Sequence, residues 1–153
     1  MVPSPTPLEI LEVAAVRNLL EAGAIPIAAG GGGVPVVQEP DGSWRGVEAV
    51  IDKDLASSLL ARALGVDRFL ILTDVDSVYR GFGTPQAQPL PRLTAAEARA
   101  LLASDELGQG NMAPKVRAAA EFAEAGGEAA IGALEAAELI VAGRAGTRVV
   151  PTA

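Results

Sequence analysis

Two lysines, Lys53 and Lys115, are the residues whose type and position most directly suggest chemistry. The other ten basic residues are arginines, scattered along the chain. Each lysine stands where a loop is predicted to enter a helix, in the segments Ile51-Asp52-Lys53-Asp54 and Met112-Ala113-Pro114-Lys115. A compact ammonium group beside the positive end of a helix dipole is suited to holding phosphate. Taken alone, each lysine fits a solvated surface equally well, so the phosphate interpretation depends on its surroundings.

Two aspartates flank the first lysine and have both an ordinary role and a chemical one. Asp52 and Asp54 stand where an N-cap residue would accept the first amides of a helix. An aspartate can also hold a lysine ammonium in place, and an unanchored lysine is too flexible to stabilise one transition-state geometry. The two roles can coexist, and the sequence leaves both open.

A run of four glycines follows a predicted strand, at Gly30, Gly31, Gly32 and Gly33. Ligands bind in the loops that follow the strands of an open α/β sheet, and amides without side chains can approach an anion closely. The run matches neither GxxxxGK[ST] nor GxGxxG. A flexible loop therefore explains it as well as a phosphate site does.

Polar residues also end the buried strand that is predicted over residues 68–73. Thr73 and Asp74 stand at its carboxyl end, where a ligand would bind, and Asp76 follows. An ordinary turn gives the same pattern. Two carboxylates at this spacing are too few to indicate a metal site, so none is predicted.

Composition excludes several classes of function. The chain has no Cys and no His, which removes disulfides, thiolate or imidazole metal sites, and catalysis assisted by cysteine or histidine. A net charge of −7 argues against nonspecific nucleic-acid binding. The first residues show no secretory signal, so a cytoplasmic location is expected. The longest uncharged stretch, residues 22–38, contains five Gly and two Pro and is too short to predict a membrane span.

The spacing of apolar residues predicts the elements that would position these groups. Helices are expected over residues 6–22, 55–64, 94–103, 114–126 and 134–141, with capping boxes beginning at Thr6 and Thr94. Strands are expected over residues 24–29, 68–73, 129–131 and 147–150, and a hairpin or an irregular excursion over residues 40–46. This alternation predicts one α/β domain spanning residues 1–153, built as a three-layer α/β/α sandwich with a mainly parallel sheet.

Read together, several segments resemble the carbamate kinase family, within the wider amino acid kinase superfamily. The combination of the glycine run, the DKDLA stretch and the MAPK stretch is specific to that family, whereas TDVD is shared more widely. The matching segments cover nearly the whole chain in family order: SPTPLEILE at 4–12, AAGGGGVPVV at 28–37, GVEAVIDKDLAS at 46–57, FLILTDVDSVY at 69–79, GNMAPKVRAAAEF at 110–122 and AGTRVVP at 145–151.

The resemblance implies a reversible reaction, in which ATP and carbamate give ADP and carbamoyl phosphate with Mg²⁺ present. It also implies a homodimer that acts in arginine metabolism. By that resemblance Lys53 contacts the phosphoryl group in transfer, Asp54 organises the lysines, and Lys115 reaches the ATP phosphates. The glycine run at 30–33 faces the acceptor substrate. The residues that frame the nucleotide are Thr73, Asp74, Val75, Tyr79 and Met112.

The resemblance extends only to the C-terminal half of family members. Their first half supplies a further glycine loop, a further lysine and part of the carbamate pocket, for which these residues offer no counterpart. Two alternatives therefore stay open, namely a noncatalytic nucleotide-binding or assembly module and a kinase for another small acid such as acetylglutamate. We expect residues 1–153 alone to bind ADP or ATP weakly and to turn over little. We also expect exposed apolar surface to favour self-association.

Overall fold

The computed structural model describes residues 2–104, 106–107 and 110–152, and the chain divides between Leu64 and Gly65 into two compact units. The prediction of one domain over residues 1–153 stays a prediction. Within the described ranges, the structure has no helix with the length and apolar character needed to cross a lipid bilayer.

The first unit contains two helices and one hairpin. Helix α1 spans Val13–Glu21 and α2 spans Lys53–Leu64, and strands β1 (Val36–Gln38) and β2 (Trp44–Gly46) pair in antiparallel register. In the turn between these strands, the Asp41 carboxylate accepts hydrogen bonds from the amide and hydroxyl of Ser43. These bonds lower the pKa of Asp41 from its ordinary value. The predicted hairpin is confirmed.

Helix α1 holds the end of α2. The Arg17 guanidinium donates hydrogen bonds to the carbonyls of Ala63 and Leu64, at 2.7 and 3.3 Å. The last carbonyls of a helix have no partner within the helix, so a cation placed there satisfies them and complements the helix dipole.

The prediction that α1 begins at Thr6 is wrong. The helix begins at Val13, and its N-cap, Glu12, makes no capping bond with its side chain. Leu8, which lies within the predicted helix, is 91% exposed. A capping box contributes only about 1 kcal/mol, which is too little to nucleate a helix that buries no apolar face.

The strand predicted over residues 24–29 is also not formed. The segment has no regular secondary structure, and Ile25 and Ile27 are 94% and 100% exposed. The apolar run is real, but a strand needs a neighbour for its backbone bonds, and none of the described residues supplies one.

The second unit contains a four-stranded sheet with helices. Its longest strands are β3 (Arg68–Thr73) and β7 (Glu128–Ala133), and the other two are β6 (Arg92–Thr94) and β8 (Thr147–Val150). The spatial order is β3-β7-β8-β6, with β3 parallel to β7, β6 parallel to β8, and β7 antiparallel to β8. A small hairpin of β4 (Tyr79–Arg80) and β5 (Gln88–Pro89) lies outside this sheet. The mainly parallel sheet is confirmed.

Helices cover both faces of this sheet. Helices α3, α4 and α5 span Ala95–Leu102, Met112–Glu124 and Ala137–Val141. The Phe69 ring of β3 contacts Phe122 of α4 with centroids 5.5 Å apart, and Phe69 stands opposite Ala129 in the register. Gly132 of β7, three residues further along, faces Ile140 of α5. Because side chains alternate between faces, α4 and α5 lie on opposite sides, which gives the predicted α/β/α layering.

Helix α3 begins as the sequence predicts. The Thr94 hydroxyl accepts a hydrogen bond from the amide of Glu97. The Glu97 carboxylate accepts one of 2.7 Å from the amide of Thr94. These bonds lower the pKa of Glu97 from its ordinary value. Here the capping box succeeds, because Ala95, Ala98 and Leu101 on the same helix are buried.

An ion pair across β7 and β8 gives a testable pH dependence. Arg148 donates two hydrogen bonds to the Glu128 carboxylate and lowers its pKa below the ordinary 4.5. A depressed carboxyl pKa adds stability above the unfolded-state value, and this stability is lost as pH falls through the folded-state value. Both groups are part-exposed, so we expect Glu128→Gln to lower the free energy of unfolding by at most about 1 kcal/mol at neutral pH.

Urea unfolding followed by circular dichroism checks this prediction at neutral pH and at an acid pH well below the ordinary carboxyl value of 4.5. The difference between the wild type and Glu128→Gln should shrink at the acid pH. Glu135→Gln, at an exposed position in the turn before α5, is the control. A difference that persists or grows in acid would contradict the assignment.

Candidate functional site

The start of helix α2 carries the first lysine in a fixed setting. The Asp52 carboxylate accepts hydrogen bonds of 2.8 and 3.1 Å from the amides of Asp54 and Leu55, and so caps the helix. The Lys53 side chain is 56% exposed, and its Nζ lies 3.9 Å from the carboxylate of the nearly buried Asp54. The two aspartates therefore divide the roles that the sequence left open, because Asp52 caps the helix and Asp54 faces the ammonium.

The glycine run packs directly beside this helix start, within the same unit. A Cβ added at Gly32 would lie 2.0 Å from the carbonyl oxygen of Ile51, the residue before Asp52. Gly30, Gly32 and Gly33 have φ values of 48°, 123° and 85°. At Gly32, only glycine permits both the close approach to Ile51 and the positive φ. Two features that the sequence singled out separately, the glycine loop and the Lys53 segment, are thus brought together.

A cavity of about 200 Å³ lies in the second unit, between the turn after β3 and the start of α4. All six residues that were predicted to bind the nucleotide or its phosphates line this cavity: Thr73, Asp74, Val75, Tyr79, Met112 and Lys115. Five further residues complete the lining: Ser77, Phe82, Leu107, Gly110 and Asn111. Residues far apart in sequence therefore share one cavity, because the carboxyl end of β3 and the N-terminus of α4 meet there.

The turn after β3 is held in place by the strands beneath it. The buried amide of Val78 donates a hydrogen bond of 2.8 Å to the Thr147 hydroxyl of β8. A Cβ at Gly132 of β7 would lie 3.1 Å from the Asp76 carbonyl. The lack of a side chain at Gly132 thus lets the turn approach the sheet closely, which positions Val75 and Ser77 along the cavity.

One end of the cavity is suited to an anion. Lys115 lies in the first turn of α4 and is 6% exposed, and it is the one cation among the residues that line the cavity. The N-cap of this 13-residue helix, Asn111, makes no capping bond with its side chain. The first amides of a helix lack partners within the helix, and its dipole favours negative charge at that end. An ammonium beside such a terminus can neutralise phosphate.

Apolar and aromatic groups form another part of the lining. The Tyr79 and Phe82 rings are tilted against each other with centroids 6.0 Å apart. The Tyr79 hydroxyl donates to the Asp76 carboxylate, which raises the pKa of the tyrosine. With its hydroxyl engaged, Tyr79 offers mainly its ring to a ligand, and ring faces suit a planar base.

The sequence interpretation missed Phe82 and Leu107 as cavity residues. Phe82 stands three residues after Tyr79 in a chain with only five aromatic residues, and this proximity was the available signal. Leu107 gave no such signal, because it lies in a turn between two helices, where apolar residues follow no repeating pattern.

Asp74 is the one carboxylate that lines the cavity, and it accepts a hydrogen bond of 3.0 Å from the Thr73 hydroxyl. Across the described ranges, no three acidic, His or Cys side chains are grouped so that they could hold a metal ion. Asp76, the second carboxylate of the TDVD segment, instead accepts from Tyr79.

Comparison with known proteins finds similar proteins for nearly the whole chain. The model of the amino acid kinase family matches residues 3–132. Carbamate kinases of Halobacterium salinarum and Thermoplasma volcanium are 52% and 51% identical to this chain, over 99% of its length. The carbamate kinase from Giardia lamblia bound to AMP-PNP superposes with a TM-score of 0.94 at 40% identity, again over 99% of the chain. The chain spans about half the length of these relatives, namely 49%, 50% and 48%.

Proposed function

This chain belongs to the amino acid kinase family, and we propose that it carries the nucleotide-binding part of a carbamate kinase-type phosphotransferase. One observation carries this proposal: the cavity in residues 65–153 is lined by all six predicted nucleotide residues, and one of them is a buried lysine at a helix N-terminus. The similar Giardia lamblia protein binds AMP-PNP, an ATP analogue. Polar groups at one part of the cavity and rings at another match the two ends of a nucleotide.

In the proposed reaction, a carboxylate oxygen of carbamate attacks the γ-phosphorus of ATP while the bond from that phosphorus to the β–γ bridging oxygen breaks. ADP leaves with that oxygen, and carbamoyl phosphate forms; in the reverse direction the same bonds exchange to make ATP. Phosphoryl transfer of this kind needs positioning and charge neutralisation more than covalent chemistry. A chain without His or Cys is adequate for it.

We assign four roles within this reaction. Lys115 neutralises the nucleotide phosphates at the start of α4. Lys53 neutralises the phosphoryl group in transfer, and Asp54 holds its ammonium. The glycine loop at 30–33 faces the acceptor substrate. Helix start and loop belong to the same unit and pack together, so one movement would disturb both.

The expected Mg²⁺ enters with the nucleotide as part of the substrate. Asp74 contributes one carboxylate to the cavity, and the described residues hold no group of three acidic, His or Cys side chains that would cage the ion. Magnesium in such sites is held largely by phosphate oxygens and water, with one or two carboxylates. The homodimer, the cytoplasmic location and the link to arginine metabolism stay predictions.

Lys115→Met is expected to weaken ADP binding by about 10- to 100-fold, because hydrogen bonds to charged groups contribute roughly 1.5–3 kcal/mol. Methionine fills similar space without the charge. Arg117→Met is the matched control, since Arg117 is on the same helix, pairs with Glu121 and does not line the cavity. Calorimetric titration with Mg²⁺ and ADP measures both affinities. Equal affinities in the two variants would remove Lys115 from the site.

A coupled assay of ATP formation from ADP tests the reaction itself. The chain is joined for this purpose to the part of the Halobacterium salinarum carbamate kinase that it does not match. We expect ATP to form from carbamoyl phosphate and much less from N-acetylglutamyl phosphate. Preference for the second donor would redirect the proposal to another acid kinase, and ADP binding without turnover of either would support a noncatalytic nucleotide-binding module.

A further inference from the structure

Part of the apolar lining of the cavity comes from two separate loops. Phe82 lies in the turn after β4 and Leu107 lies between α3 and α4, and both line the cavity. Phe82 is 51% exposed, whereas Leu107 is buried. Loops vary in path more than helices and strands do, so a wall made of two loops keeps its shape only if contacts hold them together.

Glu106 joins the two loops through two contacts. The amide of Gly81 donates a hydrogen bond of 2.9 Å to the Glu106 carbonyl. The Nε atom of Arg80 lies 3.1 Å from the Glu106 carboxylate, and both side chains are part-exposed. Arg80 and Gly81 come just before Phe82, and Glu106 comes just before Leu107. We call Arg80, Gly81 and Glu106 the clasp.

Further hydrogen bonds fix the chain on both sides of the clasp. The amide and hydroxyl of Thr84 donate hydrogen bonds of 3.1 and 2.7 Å to the Gly81 carbonyl, which closes the turn after β4. The Ser104 hydroxyl accepts a hydrogen bond of 3.3 Å from the Glu106 amide and donates one of 2.8 Å to the Leu101 carbonyl, at the end of α3. The clasp therefore ties the turn after β4 to helix α3.

We propose that Glu106 is a positioning residue for nucleotide binding, which holds Phe82 and Leu107 in place as a wall for the base. Neither Glu106 nor Arg80 lines the cavity, so the clasp acts on a nucleotide only through the apolar residues beside it. A wall that is fixed before the ligand arrives adds less ordering cost to binding. This inference rests on the proposed function, because it concerns the same cavity.

Pyrophosphate separates the role of the clasp from a general effect on the cavity. It carries the two phosphates of ADP without the base or the sugar, so it binds through charge alone. Lys115 is the cation among the residues that line the cavity. Loss of the clasp should therefore weaken ADP binding and leave pyrophosphate binding unchanged, whereas a collapsed cavity would lose both.

The test measures the affinities of ADP and pyrophosphate, each with Mg²⁺, by calorimetric titration of the purified chain. We expect Glu106→Gln to weaken ADP binding by about 2- to 5-fold, the loss typical of an exposed ion pair. Arg80→Gln should weaken it similarly, and the double variant should be no weaker than either single variant, because the two side chains act as a pair. Glu124→Gln is the matched control, since it breaks a part-exposed pair with Arg99 away from the cavity lining.

Amide hydrogen exchange in the ligand-free chain reports on the clasp itself. Glu106→Gln should speed exchange at Gly81, whose amide bonds to the Glu106 carbonyl, and Glu124→Gln should not. Both clasp side chains are part-exposed, so their replacement does not threaten folding.

The contrary outcomes are separable. Equal ADP affinity in Glu106→Gln and the wild type would overturn this inference alone. Unchanged exchange at Gly81, equal losses for ADP and pyrophosphate, or additive losses in the double variant would overturn it as well. If the wild type binds no ADP although exchange at Gly81 responds to Glu106→Gln, the proposed nucleotide site is wrong and this inference falls with it.

Discussion

Lys53→Ala is expected to slow phosphoryl transfer by about 10²-fold or more, the loss that follows removal of a group aimed at developing charge. The ammonium is the exposed cation at the start of α2, held 3.9 Å from the Asp54 carboxylate. A lysine fixed in this way can meet a phosphoryl group without reorganising, and its loss leaves the transition-state charge uncompensated. The rate of ATP formation by the joined protein measures the effect.

The matched control is Arg45→Ala, which removes an exposed cation of the same unit that pairs with Glu39. Its rate should stay close to that of the wild type. Because Lys53 is largely exposed, circular dichroism should show an intact fold in both variants. A wild-type rate in Lys53→Ala would remove this residue from the mechanism.

Gly32→Ala is expected to destabilise the first unit by roughly 2–6 kcal/mol, the sum of backbone strain and overpacking. The backbone at Gly32 has a φ of 123°, which residues with a side chain rarely adopt. The added methyl would also lie 2.0 Å from the Ile51 carbonyl, so either the loop or the start of α2 must move. Urea unfolding followed by the fluorescence of Trp44, the only tryptophan, reports on this unit directly.

Gly31→Ala, one residue earlier, is the control for that experiment. A Cβ there would meet nothing within 4 Å, and Gly31 does not have positive φ. Its stability should stay within about 0.5 kcal/mol of the wild type. Similar stability in the two alanine variants would show that the close approach of the loop to Ile51 contributes little.

Elements that bury their apolar face within this chain were predictable from the sequence. The strands over 68–73 and 147–150 form with the predicted bounds, because their apolar runs meet the sheet and the helices of the second unit. The packing of the second unit also explains why the cavity residues come together. Residues at the end of β3 and at the start of α4 line one cavity because parallel architecture brings such ends together.

Elements that need a surface outside the described residues were not predictable. Residues 6–11 and 24–29 carry helix and strand patterns, but the structure leaves Leu8, Ile25 and Ile27 exposed. An apolar pattern predicts which side chains will be buried. It does not identify the surface that buries them, which lies elsewhere in the sequence or in another chain. Neither pattern could show that the described residues supply no such partner.

Loop residues of the site escaped prediction for a different reason. Phe82 lies in the turn after β4, and Leu107 lies between α3 and α4, so neither is on an element with a repeating pattern. Their place along the cavity depends on the path of the loop. Sequence spacing constrains such a path weakly, because loops vary more than the elements they connect.

The most direct test of the nucleotide site is an amide NMR titration of the purified chain with ADP and Mg²⁺. The site predicts that shifts concentrate in residues lining the cavity, above all those of the turn after β3 and the start of α4, and that they saturate even if binding is weak. Lys115→Met should abolish this pattern at the same ADP concentrations. Saturable shifts that fall elsewhere, or none at all at millimolar ADP, would contradict the account.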